Sequence, residues 1–273
     1  MPNLKIAIMQ GCLRMPEEEA LAKAKEMGAD GVQIGSPVDL DAAGRKALVQ
    51  KIESYGLKIS AVCAWGGEVD LGEEGAEVHI ESGKRVLELA ADLGCNIWQG
   101  HIGVMPEDVN HPHWERFVRG CSELAAYGEK VGAVLAMETG PEPPYVVKRL
   151  IDTIGSPTIR VNYDPANLIL WPPMLAQWAG VPYDKAAAWE KFMPTEGADL
   201  LGPYIVHCHA KDAATDDAGN AKEVPLGEGQ VEWPKFIGYL RKHGFDGYLA
   251  IEREVGEEPV KDIQTAIDYL RTL

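Results

Sequence analysis

Four short apolar segments of this chain each end in a group capable of chemistry. Ala133-Val-Leu-Ala-Met-Glu138 and Ile159-Arg-Val-Asn-Tyr-Asp164 end in carboxylates, Ile205-Val-His-Cys-His209 in an imidazole, and Gly247-Tyr-Leu-Ala-Ile-Glu252 in a third carboxylate. Three carboxylates brought to one place repel one another, and burying them without a cation raises their pKa values or costs several kcal/mol. A divalent metal removes the conflict. Three oxygen ligands and one imidazole suit Mn²⁺ or Mg²⁺ and tolerate Co²⁺ or Zn²⁺, because the set has no thiolate to select a softer ion. Taken singly, each acid could cap a helix or pair with a Lys or Arg; four in series point to a metal held by Glu138, Asp164, His209 and Glu252. A metal beside carboxylates polarises a carbonyl and stabilises an enediolate while a carboxylate removes the α-proton. Glu138 and Glu252 are the candidates for that proton transfer. Return of the proton to the other carbon isomerises, return to the opposite face epimerises, and loss of a β-hydroxyl or β-alkoxy group eliminates.

Other residues stand close enough in sequence to assist. His101, in Gln99-Gly-His-Ile-Gly103, is a candidate to donate to a substrate oxygen. Glu142, four residues after Glu138 in a Gly-Pro-rich loop, is a candidate to bond a hydroxyl, and Lys211 shares strand parity with His209 and can stabilise developing negative charge. Their alternatives are a rim histidine bonded to backbone, a solvated loop acid and a salt bridge. His207 lies one layer deeper than His209 and reads as a satisfied core histidine. In His111-Pro-His113 the proline suggests a helix start instead of a metal pair. Trp65 and Trp171 could stack on a sugar's C–H face or serve in packing.

The elements that must position these groups follow from the hydrophobic rhythm. Short apolar runs alternate with longer amphipathic segments from end to end, which implies parallel strands joined by helical crossovers. Strands are expected near Lys5 to Gln10, Gly31 to Gly35, Leu57 to Trp65, Asn96 to Gly103, Ala133 to Thr139, Ile159 to Asp164, Tyr204 to Lys211 and Gly247 to Arg253. Helices are expected at Pro16 to Met27, Ala42 to Tyr55, Val78 to Leu93, His113 to Val131, Tyr145 to Ile154, within Tyr183 to Leu201, Trp233 to His243 and Val260 to Leu273. Gly28, Gly56, Gly94, Gly132 and Gly244 each follow a helical run, where a left-handed residue ends a helix. Eight βα units without a linker read as one (β/α)₈ TIM-barrel domain spanning 1–273, with an open doubly wound sheet as the local alternative. Leu168 to Pro203, with its Trp171-Pro172-Pro173, and Ala213 to Glu232 are expected as long loops on the C-terminal face, where barrel enzymes build their sites.

Composition limits the partners. The chain has 273 residues, 26 basic against 42 acidic, for a formal charge of −16. Such a field repels nucleic-acid backbones and anionic lipid surfaces. No apolar stretch approaches the roughly 20 residues of a bilayer span, so no membrane partner is expected. Met1-Pro2-Asn3-Leu4-Lys5 runs straight into the first strand without a signal-peptide pattern, so the mature protein is expected to begin there. Five scattered cysteines, none in a C-x-x-C pair, fit thiols in a reducing cytoplasm. Homo-oligomers are compatible with the sequence.

Met137-Glu-Thr-Gly-Pro-Glu142, Asn162-Tyr-Asp-Pro-Ala-Asn-Leu168, Val206-His-Cys-His-Ala-Lys-Asp212, Val224-Pro-Leu-Gly-Glu-Gly229 and Ile251-Glu-Arg-Glu254 together resemble the sugar phosphate isomerase/epimerase family, with its xylose-isomerase-like TIM barrel. The resemblance implies one divalent metal on the same four residues, and a sugar or polyol substrate. The family's ketose 3-epimerases carry a histidine three residues after the aspartate ligand, where this chain has Asn167, and an arginine after the histidine ligand, where the nearest basic residue here is Lys211. These departures point away from a simple ketohexose 3-epimerase, and Asn167 also points away from endonuclease IV. The glycine-rich Leu226-Gly-Glu-Gly229 carries an acid in its middle, and acids follow the last strand at Glu254-Val-Gly-Glu-Glu258, which opposes a phosphate dianion. The expected activity is therefore isomerisation or epimerisation of a non-phosphorylated keto sugar or polyol. A lyase or dehydratase of a keto sugar, keto-glycoside or inosose is the alternative, and an endonuclease-like or non-catalytic sugar-binding barrel is remote.

Overall fold

The computed structural model describes residues 4–65 and 69–273. Eight parallel strands close into a barrel in chain order: β1 (Lys5–Met9), β2 (Gly31–Ile34), β3 (Lys58–Cys63), β4 (Ile97–Gly100), β5 (Val134–Glu138), β6 (Ile159–Tyr163), β7 (Ile205–Ala210) and β10 (Tyr248–Ile251), which pairs back on β1 with Lys5 level with Tyr248. Closure excludes the open sheet that periodicity alone had left as an alternative. Helices α1 (Glu17–Glu26), α2 (Ala42–Ser54), α3 (Glu77–Asp92), α4 (Pro112–Val131), α5 (Pro144–Ile154), α9 (Trp233–Lys242) and α10 (Pro259–Leu270) match those expected within a few residues. The five predicted terminating glycines all adopt positive φ.

The helices cover the barrel because apolar side chains point outward from the strands as well as inward. Trp98 on β4 is fully buried beneath α3, and Gly83 is what lets the helix come so close: a Cβ there would stand 2.8 Å from the indole. Burying one such side chain contributes about 1.5–3 kcal/mol. The barrel interior is partly polar: Gln33, Gln99, Asn162, His207 and His209 are all buried within it. Two register shifts accompany them, between Val32 and Gln33 where β2 meets β3, and between Val161 and Asn162 where β6 meets β7. Irregularities of this kind re-aim side chains; the second sets Asn162 level with His207, whose Nδ1 lies 2.9 Å from Asn162 Oδ1.

Both long connections carry more structure than expected: the first holds the helical segment foreseen within Tyr183 to Leu201 and a further helix before it, and the second holds a hairpin. Asn167–Ala179 forms a helix, α6, through Pro172 and Pro173, followed by α7 (Lys185–Phe192) and α8 (Gly197–Leu201). Two prolines normally end a helix because each removes an N–H. Here both rings are buried with Leu168 and Ile169, so packing outweighs the lost bonds. After β7 the chain turns into an antiparallel hairpin, β8 (Asp212–Thr215) with β9 (Ala221–Val224), whose turn is held by Asp216 accepting from the amides of Ala218 and Asn220.

Asp212 anchors this hairpin to the barrel. Its Oδ2 accepts from the amides of Gly227 (2.9 Å) and Gly229 (3.2 Å) and from Trp233 Nε1 (3.0 Å), while Oδ1 accepts from the amides of Ala213 (2.9 Å) and Val231 (3.3 Å). Gly229 is obligatory in this cage, since a Cβ there would fall 2.0 Å from the carboxylate. Removing the carboxylate orphans buried donors at about 1–3 kcal/mol each before relaxation. Asp212→Ala should therefore lower the urea-unfolding free energy by about 2–5 kcal/mol; a change below about 0.5 kcal/mol would show that the cage is not structural.

Candidate metal centre

Glu138, Asp164, His209 and Glu252 meet at the C-terminal mouth of the barrel, each offering one ligand atom within 4.8 Å of all the others. Parallel strands bring their C-terminal ends to one rim, so the four arrive from β5, the end of β6, β7 and the end of β10. His209 Nδ1 is the hub. It lies 3.2 Å from Glu138 Oε1, 3.3 Å from Glu252 Oε2 and 3.8 Å from Asp164 Oδ2. Asp164 is set rigidly: its Oδ1 accepts from the amides of Ala166 (2.8 Å) and Asn167 (3.2 Å), and its own amide donates to Thr139 Oγ1 at 2.7 Å. Its Oδ2 is buried and, among the described residues, has no hydrogen-bond partner. A buried carboxylate oxygen left unpaired is costly unless a cation takes it. That oxygen and the hard donor set fit a divalent metal.

The electrostatics reflect like charges packed together. Burial pushes Asp164 up to about 6, against the pull of His209 and Lys211. Burial also disfavours charge on His209, but Glu252 and Glu138 hold it well above the ordinary imidazole value. Burial opposes ionisation of Glu252 and Glu138 too; His209 with Lys211 keeps the first below the usual carboxylate range, and His101 with His209 does so for the second.

Lys211 points inward as its parity implied. Its Nζ donates to Glu252 Oε2 at 2.9 Å and to Glu254, and lies 4.0 Å from Asp164 Oδ2, so it joins the cluster through salt bridges. His101 Nε2 stands 3.6 Å from Glu138 Oε2 with the side chain 23% exposed, against 6% for Glu138 and none for His209. It marks the side open to solvent. Glu142 is not a solvated loop acid: it is buried, lies outside the four-residue group, and accepts from the Met105 amide at 2.8 Å. It ties the loop after β5 to the loop after β4, and burial pushes its carboxyl up to about 8. His207 is the buried core histidine expected, bonded to Asn162 and 3.3 Å from Ser60 Oγ. His111 caps α4, with Pro112 at its first turn. Trp65 packs edge-on against Trp98, and Trp171 against Trp178.

Sequence reasoning missed three partners. Asn167 Nδ2 donates to Glu138 Oε1 (3.0 Å) and to the Thr139 carbonyl (3.1 Å). Gln33 Oε1 lies 3.1 Å from His209 Nε2, and Gln99 Nε2 donates to Glu138 Oε2. The available signal was one polar residue inside each of the apolar strands Gly31-Val-Gln-Ile34 and Ile97-Trp-Gln-Gly100.

A closed eight-stranded βα barrel with three acids and a histidine at its C-terminal mouth defines a class of fold and site shared by many enzymes. The chain belongs to the xylose isomerase-like TIM barrel family, whose model matches residues 21–273. Among characterised proteins it is similar to the L-ribulose-5-phosphate 3-epimerase UlaE of Escherichia coli, with 25% identity over 93% of this chain and 88% of that protein. Among solved structures it resembles a xylose isomerase domain protein from Planctomyces limnophilus, with a TM-score of 0.79 and 23% identity over 99% of this chain and 96% of that one. It also shares its fold with the 3-keto-D-glucoside 4-epimerase YcjR of E. coli, with a TM-score of 0.70 and 17% identity over 99% of this chain and 100% of that one. The described residues include no helix long and apolar enough to cross a membrane.

Two measurements check this site. Elemental analysis after purification should find about one divalent ion per chain, reduced to a small fraction in Asp164→Asn, His209→Ala, Glu138→Gln and Glu252→Gln; undiminished metal in all four would overturn the assignment. Glu142 carries a linkage prediction. Its folded pKa, about 8, lies above its ordinary value of 4.5, so its contribution to stability is complete below pH 4.5 and is lost as pH rises towards 8. Glu142→Gln should therefore gain on wild type through that window in urea-unfolding free energy, by up to about 1.4 kcal/mol per pH unit. A difference independent of pH would refute the buried neutral acid.

Proposed function

We propose that the protein is a metal-dependent isomerase or epimerase that removes the proton beside the carbonyl of a non-phosphorylated keto sugar or polyol. The observation that carries this reading is the convergence of Glu138, Asp164, His209 and Glu252 at the mouth of the barrel, where the buried Oδ2 of Asp164 has no hydrogen-bond partner among the described residues. The epimerase named among its relatives supports the reaction class. Glu138, Asp164, His209 and Glu252 would hold one divalent ion, with Mn²⁺ or Mg²⁺ the best match and Co²⁺ or Zn²⁺ compatible. When bound, such an ion supplies the Lewis acidity that makes a proton next to a carbonyl removable.

The chain's own groups then do the proton work. Glu252 is held at Oε2 by Lys211, leaving Oε1 as the acceptor for the substrate proton. Glu138 stands three strands away around the rim, beyond β7 and β6, and delivers a proton from the other flank once it has taken one up from solvent on the side of His101. Removal at one carboxylate and delivery from the other inverts a carbon, whereas delivery to the neighbouring carbon moves the carbonyl. His101, beside the open side, is placed to donate to a substrate oxygen, and Lys211 fixes Glu252 through its salt bridge.

Asp212 speaks for a substrate without a phosphate. Barrel enzymes commonly bind phosphate at the loops after the seventh and eighth strands and a helix N-terminus. Here the amides of Gly227 and Gly229 already enclose a carboxylate of the chain itself. Nearby cations are engaged too: Arg253 with Glu223 and Asp262, and Arg14 with the carbonyls of Glu254 and Gly256. The five free thiols agree with a reducing cytoplasm as the working compartment.

Metal-loaded protein in D₂O should incorporate deuterium α to the carbonyl of an unphosphorylated ketose or keto-glycoside, read by NMR, and Glu252→Gln should slow exchange by at least about 10²-fold. An enone product would replace the isomerase with a lyase. Exchange confined to ketose phosphates would overturn the substrate class.

A further inference from the structure

We infer that Gln33 and Gln99 form a one-way amide relay that fixes which nitrogen of His209 faces the metal. The inference rests on the metal reading above and concerns two residues shut away from solvent: each is 1% exposed inside the barrel. The relay begins at Glu138, whose ionised carboxylate can only accept. Gln99 must therefore turn its Nε2 towards Glu138 Oε2, as it does. That choice leaves Gln99 Oε1 facing back along the barrel, where it accepts from Gln33 Nε2 at 3.2 Å. Gln33 in turn is left with Oε1 towards His209 Nε2, 3.1 Å away. A carbonyl oxygen accepts only, so His209 must carry its proton on Nε2. When a metal displaces the second proton, the nitrogen that presents its lone pair to the space shared by Glu138, Asp164 and Glu252 is therefore Nδ1.

Each link has one workable orientation because each amide has one donating and one accepting end. Flipping Gln33 would aim two donors at each other near His209 and set its oxygen against that of Gln99. Flipping Gln99 would set its oxygen against a carboxylate. The information therefore runs from the first ligand, Glu138, to the third, His209, through two side chains. The backbone makes room for them. Register places the small Ala61 level with Gln33 and Ala136 level with Gln99, and the shift between Val32 and Gln33 falls at the relay itself. Outer partners of metal-bound histidines commonly fix the tautomer, and losing one costs about 10–100-fold in metal affinity. The particular consequence here is that Gln99, which does not contact His209, governs it. Both glutamines are positioning residues.

The test loads ¹⁵N-histidine-labelled full-length protein with ¹¹³Cd²⁺ and reads the one-bond ¹¹³Cd–¹⁵N coupling at His209, alongside Mn²⁺ affinity by competition with a chelator. Wild type should couple through Nδ1. Gln33→Leu and Gln99→Leu should each weaken Mn²⁺ binding by about 10-fold or more, and the double variant should be no weaker than the worse single one, since either breaks the same chain. Gln99→Leu frees Gln33 to flip and should add or substitute coupling through Nε2. Gln99→Glu, kept protonated by the adjacent carboxylate, donates its O–H to Glu138 and still accepts from Gln33, and should retain Nδ1 coupling. The Glu variant also keeps the proposal testable should the Leu variant fold poorly. Coupling through Nε2 in wild type, or Gln99→Leu with unchanged affinity and unchanged Nδ1 coupling, would overturn the relay while leaving the metal site intact. A wild-type protein that takes up neither Cd²⁺ nor Mn²⁺ would overturn both.

Discussion

The repulsion among three carboxylates crowded around one imidazole nitrogen is the constraint on which the rest of this barrel turns. Glu138, Asp164 and Glu252 cannot share the space around His209 Nδ1 as bare anions, and the fold answers at several distances. Asn167 and Gln99 donate to Glu138, Lys211 to Glu252, and two backbone amides to Asp164. The oxygen that these donors leave aside among the described residues, Asp164 Oδ2, is the one open to a cation. A barrel core filled with aliphatic layers could not supply such donors. Accordingly the interior beneath this mouth contains glutamine, asparagine and histidine, held where the register of the sheet departs from regularity.

Much of this was legible in the sequence because parallel-barrel geometry converts position into place. A polar residue ending an apolar strand must emerge at the C-terminal rim, so Glu138, Asp164, His209 and Glu252 could be grouped without knowing any distance. Lys211 followed from parity, and His207 was assigned to the core by the same rule. Gln33 and Gln99 escaped because one amide inside a strand has no pattern to distinguish a hydrogen-bonded partner from an ordinary variation. Glu142 was misjudged as a possible solvated acid because burial comes from other parts of the chain, here Met105 and its loop. Within the two long connections, α6 and the β8–β9 hairpin escaped for related reasons. Pro172 and Pro173 carry a strong local stop signal that packing overrides, and Asp212-Ala-Ala-Thr215 has a single β-branched residue beside two alanines, too little to announce a strand.

The acidic excess takes on a spatial meaning. Acids at the mouth belong to the candidate metal centre, Glu254 extends that group through Lys211, and Glu223 with Asp262 absorbs the charge of Arg253. The negative character of the chain is thus partly organised into cation-seeking clusters around a single rim, and partly spread as solvated charge over the helices.

Asp212 links two properties usually treated apart. The same carboxylate that closes the hairpin onto the barrel fills a nest of donors shaped for an anion. The occupancy of that nest and the mechanical integrity of the rim are thereby tied to one side chain. A lineage that lost this carboxylate would inherit an empty, unstable anion hole, and the most direct remedy would be a ligand bringing its own negative charge. Within this architecture, a binding site for an anionic ligand would begin as the repair of a folding defect.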